Sequence, residues 1–347
     1  METGIHVVDS GVAFNDDKCP LVTFVLLTYN QERWIKIAIE SVLAQDYTNL
    51  EIIISDDCSS DRTFDIIEET VRSYRGPHRV VARQTVKNCG TLLHVADVAK
   101  TARGELLVLA AGDDVSKINR VTVLQKAWKR TGAWGLSSRF DRIDEDGTLL
   151  ARDVKAAVIE SHGFEKYFLP QGGVVRVVHG CTSAYDAKVF DYLKLTTDDY
   201  VLSEDGAISV LLNLIGRKID HLDESLVLYR ESSSSLTNNI GRRALSYAEV
   251  VRDERNINRF ASSQANRCRL FLRMNKQLGH VKVREISLPG VETELRLQET
   301  KMHWYGASIM VRVMNILNNR VARGWAIPRV LGQRPFYLAK WIASRFY

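Results

Sequence analysis

Along the first 240 positions, apolar residues come in short blocks separated by stretches with helical spacing. This pattern predicts an α/β domain with a mostly parallel sheet flanked by helices. Positions 21–27 (LVTFVLL) form the first block and end at Thr28-Tyr29-Asn30. Behind it, Trp34, Ile35, Ala38, Ile39, Val42 and Leu43 recur on one helical stripe. Positions 51–55 (EIIIS) read as a second strand, β-branched and apolar as a strand buried on both faces requires. It runs into Asp56-Asp57, and helix resumes near Arg62. A third strand is expected at 79–82, with a turn at Asn88-Cys89-Gly90 and a helix to about residue 102. A fourth, at 105–110, ends in Ala111-Gly112-Asp113-Asp114.

Beyond Gly241 the spacing turns helical, with Pro289-Gly290 breaking two long segments. Positions 305–322 put Ile309, Met310, Val313, Met314, Ile316 and Leu317 largely on one side. Arg312, Asn315, Asn319 and Arg320 fall mostly on the other, so an amphipathic helix is predicted, with a shorter one over 335–345. The expected organisation is an extension over 1–19, a catalytic domain over 20–240, a helical region over 241–299 and a distinct tail over 300–347.

Composition narrows the class. The 347 residues are 45% hydrophobic and 26% charged, which excludes a disordered chain and a disulfide-stapled miniprotein. No apolar run reaches the length of a membrane span, and residues 1–16 lack the basic start and apolar block of a signal peptide. Five scattered cysteines form no CxxC pair, which fits a reducing, cytoplasmic setting.

The chemistry should lie at the carboxyl ends of the strands, where open parallel sheets bind ligands. Two of those ends carry paired acids, Asp56-Asp57 and Asp113-Asp114. Such pairs repel one another unless a cation or a donor group lies between them. Carboxylates together with substrate phosphates suit magnesium or manganese, so a metal-assisted site for a phosphate-bearing ligand is expected. Helix capping is the plainer use of the same acids. A third pair, Glu204-Asp205, reads either as the acidic first turn of a helix or as a general base. The chain has no GxGxxG after a strand, no P-loop, no nucleophile elbow and no HExxH.

In order along the chain, VTFVLLTYN (22–30), SVLAQ (41–45), ISDDCSSDRT (54–63), NCG (88–90), GE (104–105), GDD (112–114), SED (203–205) and LVLYR (226–230) occur. Together they resemble the family-two glycosyltransferases of GT-A fold, over roughly residues 20–236. The resemblance implies inverting transfer from a nucleotide-diphosphate sugar. It also implies Thr28, Tyr29, Glu32, Asp56, Asp57 and Asn88 around the nucleotide and Asp113 near ribose and metal. Asp114 would be the cation ligand, and Asp205, with Glu204 beside it, the base. The stretch 178–185 resembles the acceptor entry, where His179 and Gly180 are candidates with Arg230 beyond them. A lone histidine beside a strand is more often structural, which is the plainer reading of His179, and Gly180 also reads as a simple bend. Three departures stand out: Ala111 replaces the first acid of a DxDD pattern, Cys58 replaces a common glycine, and Ser232 stands where a histidine is usual. The QxxRW motif of processive synthases is absent, which points to one sugar per acceptor.

From residue 300 onward there is no Asp or Glu, while eight Lys or Arg and eight Trp, Tyr or Phe are present. Basic, aromatic, amphipathic helices suit an anionic membrane surface. Packing on protein is the alternative, and no nucleic-acid module accompanies the charge. The expectation is a peripheral enzyme at the cytoplasmic face of a membrane, acting on a lipid-linked glycan, with self-association left open. The competing readings are a sugar-phosphate nucleotidyltransferase, for which the loop 28–32 lacks the needed Gly-rich, Arg-containing sequence, and a catalytically silent membrane adaptor.

Overall fold

The apolar blocks of the sequence become the middle of a ten-stranded sheet. The structure, a computed structural model, describes residues 6–11, 19–155, 167–168, 174–232, 247–304, 307–318 and 326, with backbone alone at 247–254 and 317–318. In chain order, β1 (His6–Asp9) leads to β2 (Val22–Thr28), α1 (Ile35–Leu43), β3 (Leu50–Asp56) and α2 (Thr63–Ser73). Next come β4 (Arg79–Gln84), α3 (Thr91–Ala99), β5 (Leu106–Ala111), β6 (Val115–Ser116) and α4 (Arg120–Thr131). β7 (Gly135–Ile143), β8 (Leu149–Val154), β9 (Ala184–Asp186), α5 (Glu204–Leu214) and β10 (Ile219–Arg230) follow. The later helices are α6 (Tyr247–Gln277), α7 (Leu288–His303) and α8 (Ile309–Asn318).

The strand order is β1-β4-β3-β2-β5-β9-β7-β10-β6, with β8 on β7. β4, β3, β2 and β5 are mutually parallel, so the turns after β2, β3 and β5 open on the same edge. Phe24, Leu26, Ile52, Ile54, Val80 and Val108 are fully buried between helices, packed with Ile35, Ile39, Ile67 and Leu124. Each such side chain contributes about 1.5–3 kcal/mol by leaving water. The acid inside β3 is accommodated locally: Glu51, 1% exposed, accepts from Thr23 Oγ1, the Arg103 N–H and Arg79 Nη1.

The catalytic-domain boundaries differ from the expected 20–240. Residues 6–9 of the expected extension are an edge strand paired antiparallel with β4. The chain divides into one unit of Met1–Glu231 with Arg273–Ile286, and a second of Ser232–Leu272 with Ser287–Tyr347. Part of the expected helical region therefore belongs to the first unit. Pro289 and Gly290 lie in the first turn of α7, where proline's missing N–H costs nothing; Ser287 caps that turn. Within the second unit, α8 falls inside the amphipathic stretch expected at 305–322. It exposes Ile309, Met310, Val313 and Met314, while Arg312 Nε donates to the Trp304 carbonyl. The expected helix over 335–345 lies outside the described residues. No helix among the described residues is long and apolar enough to cross a membrane.

Candidate active site

The turns after β2 and β3 are laced together by side chains reaching across to backbone. Ser59 Oγ accepts from the Asn30 N–H, and Asn30 Oδ1 accepts from the Ser60 N–H. Thr63 Oγ1 accepts from Gln31, Asp61 from Glu32, and Glu32 in turn from the Arg62 N–H at 3.0 Å. Thus Glu32 and Tyr29 lie on the exposed rim, and the DRT and TYN segments hold each other's loop groups.

Asp56 has a different role from the one the resemblance implies. It is 0% exposed, and its carboxylate accepts from Thr28 Oγ1, Ser59 Oγ, the Ser59 N–H and Gln84 Nε2. A saturated, sealed carboxylate fastens the turn and offers a nucleotide nothing. Thr28, buried at 3% and committed to Asp56, shares that structural duty.

Asp57 turns the other way. Its Oδ1 accepts from the Cys89 N–H at 2.9 Å and from Thr85 Oγ1, and its Oδ2 from the Gly90 N–H at 3.0 Å. It thereby holds the loop 85–90, and Asn88 Oδ1 accepts from Tyr200 OH. Gly90 has φ +80° with the Tyr200 ring 3.1 Å from where a Cβ would lie, so both backbone and space require glycine there. The Leu92 N–H donates to the Val201 carbonyl and Thr91 Oγ1 to the Leu202 carbonyl. The chain that enters α5, and with it Glu204 and Asp205, is therefore stitched to the Asp57 loop.

β9 brings the acceptor candidates to the acid turn. It runs antiparallel to β5, so the residues just before it, Gly180–Ser183, lie beside the carboxyl end of β5; the Leu109 N–H donates to the Ser183 carbonyl. Asp205 is half-buried and accepts from Ser203 Oγ, the Gly206 N–H and, at 3.1 Å, the Gly180 N–H. His179 stacks on Phe140 with centroids 5.2 Å apart, and its Nδ1 meets Cys181 Sγ at 3.1 Å. Burial holds the His179 imidazole below its ordinary value, opposed by the Asp205 charge. Burial, then the Asp205 charge, push Glu204 up to about 8, so it keeps its proton at neutral pH.

Burial raises the Asp113 carboxyl, with its own turn N–H and the Arg230 charge opposing. Asp114 is raised well above the usual carboxylate range by burial first and by Asp113 second. Its Oδ1 accepts the Arg230 N–H at 2.9 Å, and its buried Oδ2 has no hydrogen-bond partner among the described residues. An orphaned buried carboxylate oxygen beside a second, half-buried carboxylate fits a hard cation. Among the described residues no group of three or more His, Cys, Asp or Glu is placed to hold a metal ion, so the count of carboxylates there is two. That count suits magnesium or manganese, whose other ligands are phosphates and water. Burial pushes the Cys181 thiol well above its ordinary value, and Asp114, Asp205 and Asp113 push the same way against Arg120.

Arg230, expected near the acceptor, is 3% exposed and directed inward. Its Nε donates to the Asp113 carbonyl and its Nη1 to the Asp144 and Glu145 carbonyls. The guanidinium supports the acid turn from behind. Sequence reasoning did not find Ser203, Tyr200 or Arg120. Only Arg120 left a trace, as a cation at the start of a helix, where the dipole disfavours it.

Residues 23–194 match the model of "Glycosyl transferase family 2". An uncharacterized glycosyltransferase of Rickettsia felis is 30% identical over 196 residues, covering 53% of this chain and 31% of that protein. The succinoglycan biosynthesis protein ExoO of Rhizobium meliloti is 33% identical over 129 residues, 37% of this chain and 34% of its own. The chain thus spans about a third of the length of these relatives. A crystal structure of GalNAc-T7 with UDP, GalNAc and Mn2+ shares the fold at a TM-score of 0.51 and 16% identity, covering 71% of this chain and 52% of that one. The chain carries a glycosyltransferase family 2 domain with the GT-A fold.

Proposed function

We propose that this protein is an inverting, non-processive glycosyltransferase. It moves one sugar from a nucleotide-diphosphate sugar, by our reading a UDP-sugar, to a hydroxyl of a lipid-linked glycan in surface polysaccharide synthesis. The observation that carries the reading is the pairing of β9 with β5. It lays the Gly180–Ser183 turn, whose Gly180 N–H holds Asp205, beside the end of β5 that leads into Asp113-Asp114, so a donor diphosphate at one and an attacking hydroxyl at the other are neighbours in this reading. In this reading Tyr29, Glu32, Asn88 and the Asp57 loop border the nucleoside. Asp113 and Asp114 would hold a divalent cation, which when bound neutralises charge building on the departing diphosphate.

Asp205 takes the proton from the acceptor hydroxyl. Three donors, Ser203 Oγ and the Gly206 and Gly180 N–H groups, fix where its carboxylate points. Protonated Glu204 adds no second negative charge beside it. A single carboxylate opposite the leaving group gives one displacement and inversion. His179, stacked on Phe140 beside this base, borders the acceptor. The exposed apolar side of α8 and the acid-free sequence beyond residue 300 support placement at the cytoplasmic face of an anionic membrane.

A thermal-shift panel of UDP-, GDP- and dTDP-sugars, with and without manganese, tests the donor assignment. Binding to the native state alone raises apparent stability. A manganese-dependent rise with one nucleotide class is expected; no response to any nucleotide sugar would contradict the reading.

A further inference from the structure

Arg120 is 0% exposed and opens α4, so burial and the helix dipole both oppose its charge. Burial lowers its pKa to about 10, with Cys181 and Asp114 opposing the fall. No ion pair among the described residues joins it to a carboxylate. Instead its guanidinium fans out to three acceptors: Nη1 to Ser116 Oγ at 3.0 Å, Nη2 to the Leu109 carbonyl at 2.6 Å and to the Cys181 carbonyl at 3.3 Å. The Phe24 ring lies 5.5 Å from the guanidinium carbon, and Nε has no hydrogen-bond partner among the described residues.

The positions of those acceptors are informative. Leu109 and Ser116 flank the Asp113-Asp114 turn on either side. Cys181 follows Gly180, whose N–H holds Asp205. An apolar side chain of similar volume would fill the space without the desolvation cost, so stability is a poor reason for a cation here. A planar fork with several donors is what three acceptors in different directions require, and a lysine ammonium is a poor substitute.

We propose that Arg120 is a positioning residue that ties the acid turn to the Gly180–Thr182 turn, setting the distance between the donor diphosphate and the base. It touches neither substrate and acts through Asp205, so the inference rests on Asp205 being the base. Its role is geometric, and misplacing reacting groups by about 1 Å costs roughly 10²-fold in rate.

The test is a double-mutant cycle in the full chain, Arg120→Lys against Asp205→Asn. Turnover is read as release of the nucleoside diphosphate, and donor affinity as the thermal shift given by the best sugar nucleotide of the panel with manganese. Arg120→Lys is expected to lower kcat about 10²-fold with donor KM and thermal shift within about 2-fold of wild type. In the Asp205→Asn background the same change should cost less than about 2-fold, because the group it positions is gone. An equal loss in both backgrounds, or a donor affinity that falls as far as kcat, would overturn the inference while leaving the base assignment intact. An Asp205→Asn protein at full speed would remove both. If Arg120→Lys does not fold, Ser116→Ala removes one acceptor only. It should lower kcat about 3- to 10-fold, again only when Asp205 is present, and an unchanged kcat overturns the proposal.

Discussion

The backbone N–H of Gly180 donates to Asp205 Oδ2 across 3.1 Å, joining the turn before β9 to the first turn of α5. A Cβ at residue 180 would lie 3.2 Å from both Asp205 Oδ2 and Glu204 Oε1. Any larger residue there crowds the acid pair. Gly180→Ala should push both carboxylates aside by a few tenths of an ångström. The expected result is a kcat lowered on the order of 10-fold with donor binding unchanged, read by steady-state kinetics beside thermal shift.

Glu204 gives a stability signature with a definite sign. Its folded pKa of about 8 lies above the ordinary 4.5, so the native state binds the proton more tightly than the unfolded chain. Stability from this residue is complete at low pH and is lost as pH rises from about 4.5 toward 8. Glu204→Gln removes the loss. Urea unfolding should show the variant gaining on wild type between pH 5 and pH 8, by on the order of 3 kcal/mol. A gap that is constant across that range would contradict the assignment.

Arg230 saturates three backbone carbonyls behind the acid turn. Arg230→Leu takes the side-chain donor from the Asp113 carbonyl, at about 1–3 kcal/mol, while the Asp144 and Glu145 carbonyls keep the Gly147 N–H and Trp34 Nε1. Urea titration should show destabilisation of about 1–3 kcal/mol. The manganese-dependent part of the donor thermal shift should shrink with it, since the Asp113 carbonyl loses its anchor.

Much of the parallel sheet was legible in the sequence. The strand ending at Thr28, the IIIS strand ending at Asp56 and the strand ending before Asp113 are apolar runs that stop at turn residues, and hydrophobic periodicity reads such runs directly. Other features depend on distant partners. His6–Asp9 is a strand only because β4 offers an edge, and β9 is three residues placed between β5 and β7. The division of labour within each acid pair was equally hidden. Asp56 and Asp57 are adjacent and chemically alike, but the first points at Thr28 and Gln84 and the second at the Cys89 and Gly90 amides. Arg230 looked like a substrate contact because it ends a strand at the site's edge. Its burial beneath the 144–147 hairpin is a tertiary fact that no local pattern carries.

The central claim is that Asp205 removes the acceptor's proton at a site shared with the Asp113-Asp114 turn. Its most direct test is the kcat of Asp205→Asn, an isosteric change that keeps an oxygen for the Ser203 and Gly206 donors and puts an amide NH2 where Oδ2 accepted from Gly180. The account predicts a fall of about 10² to 10⁴ in transfer with donor thermal shift preserved. Transfer at the wild-type rate would contradict it.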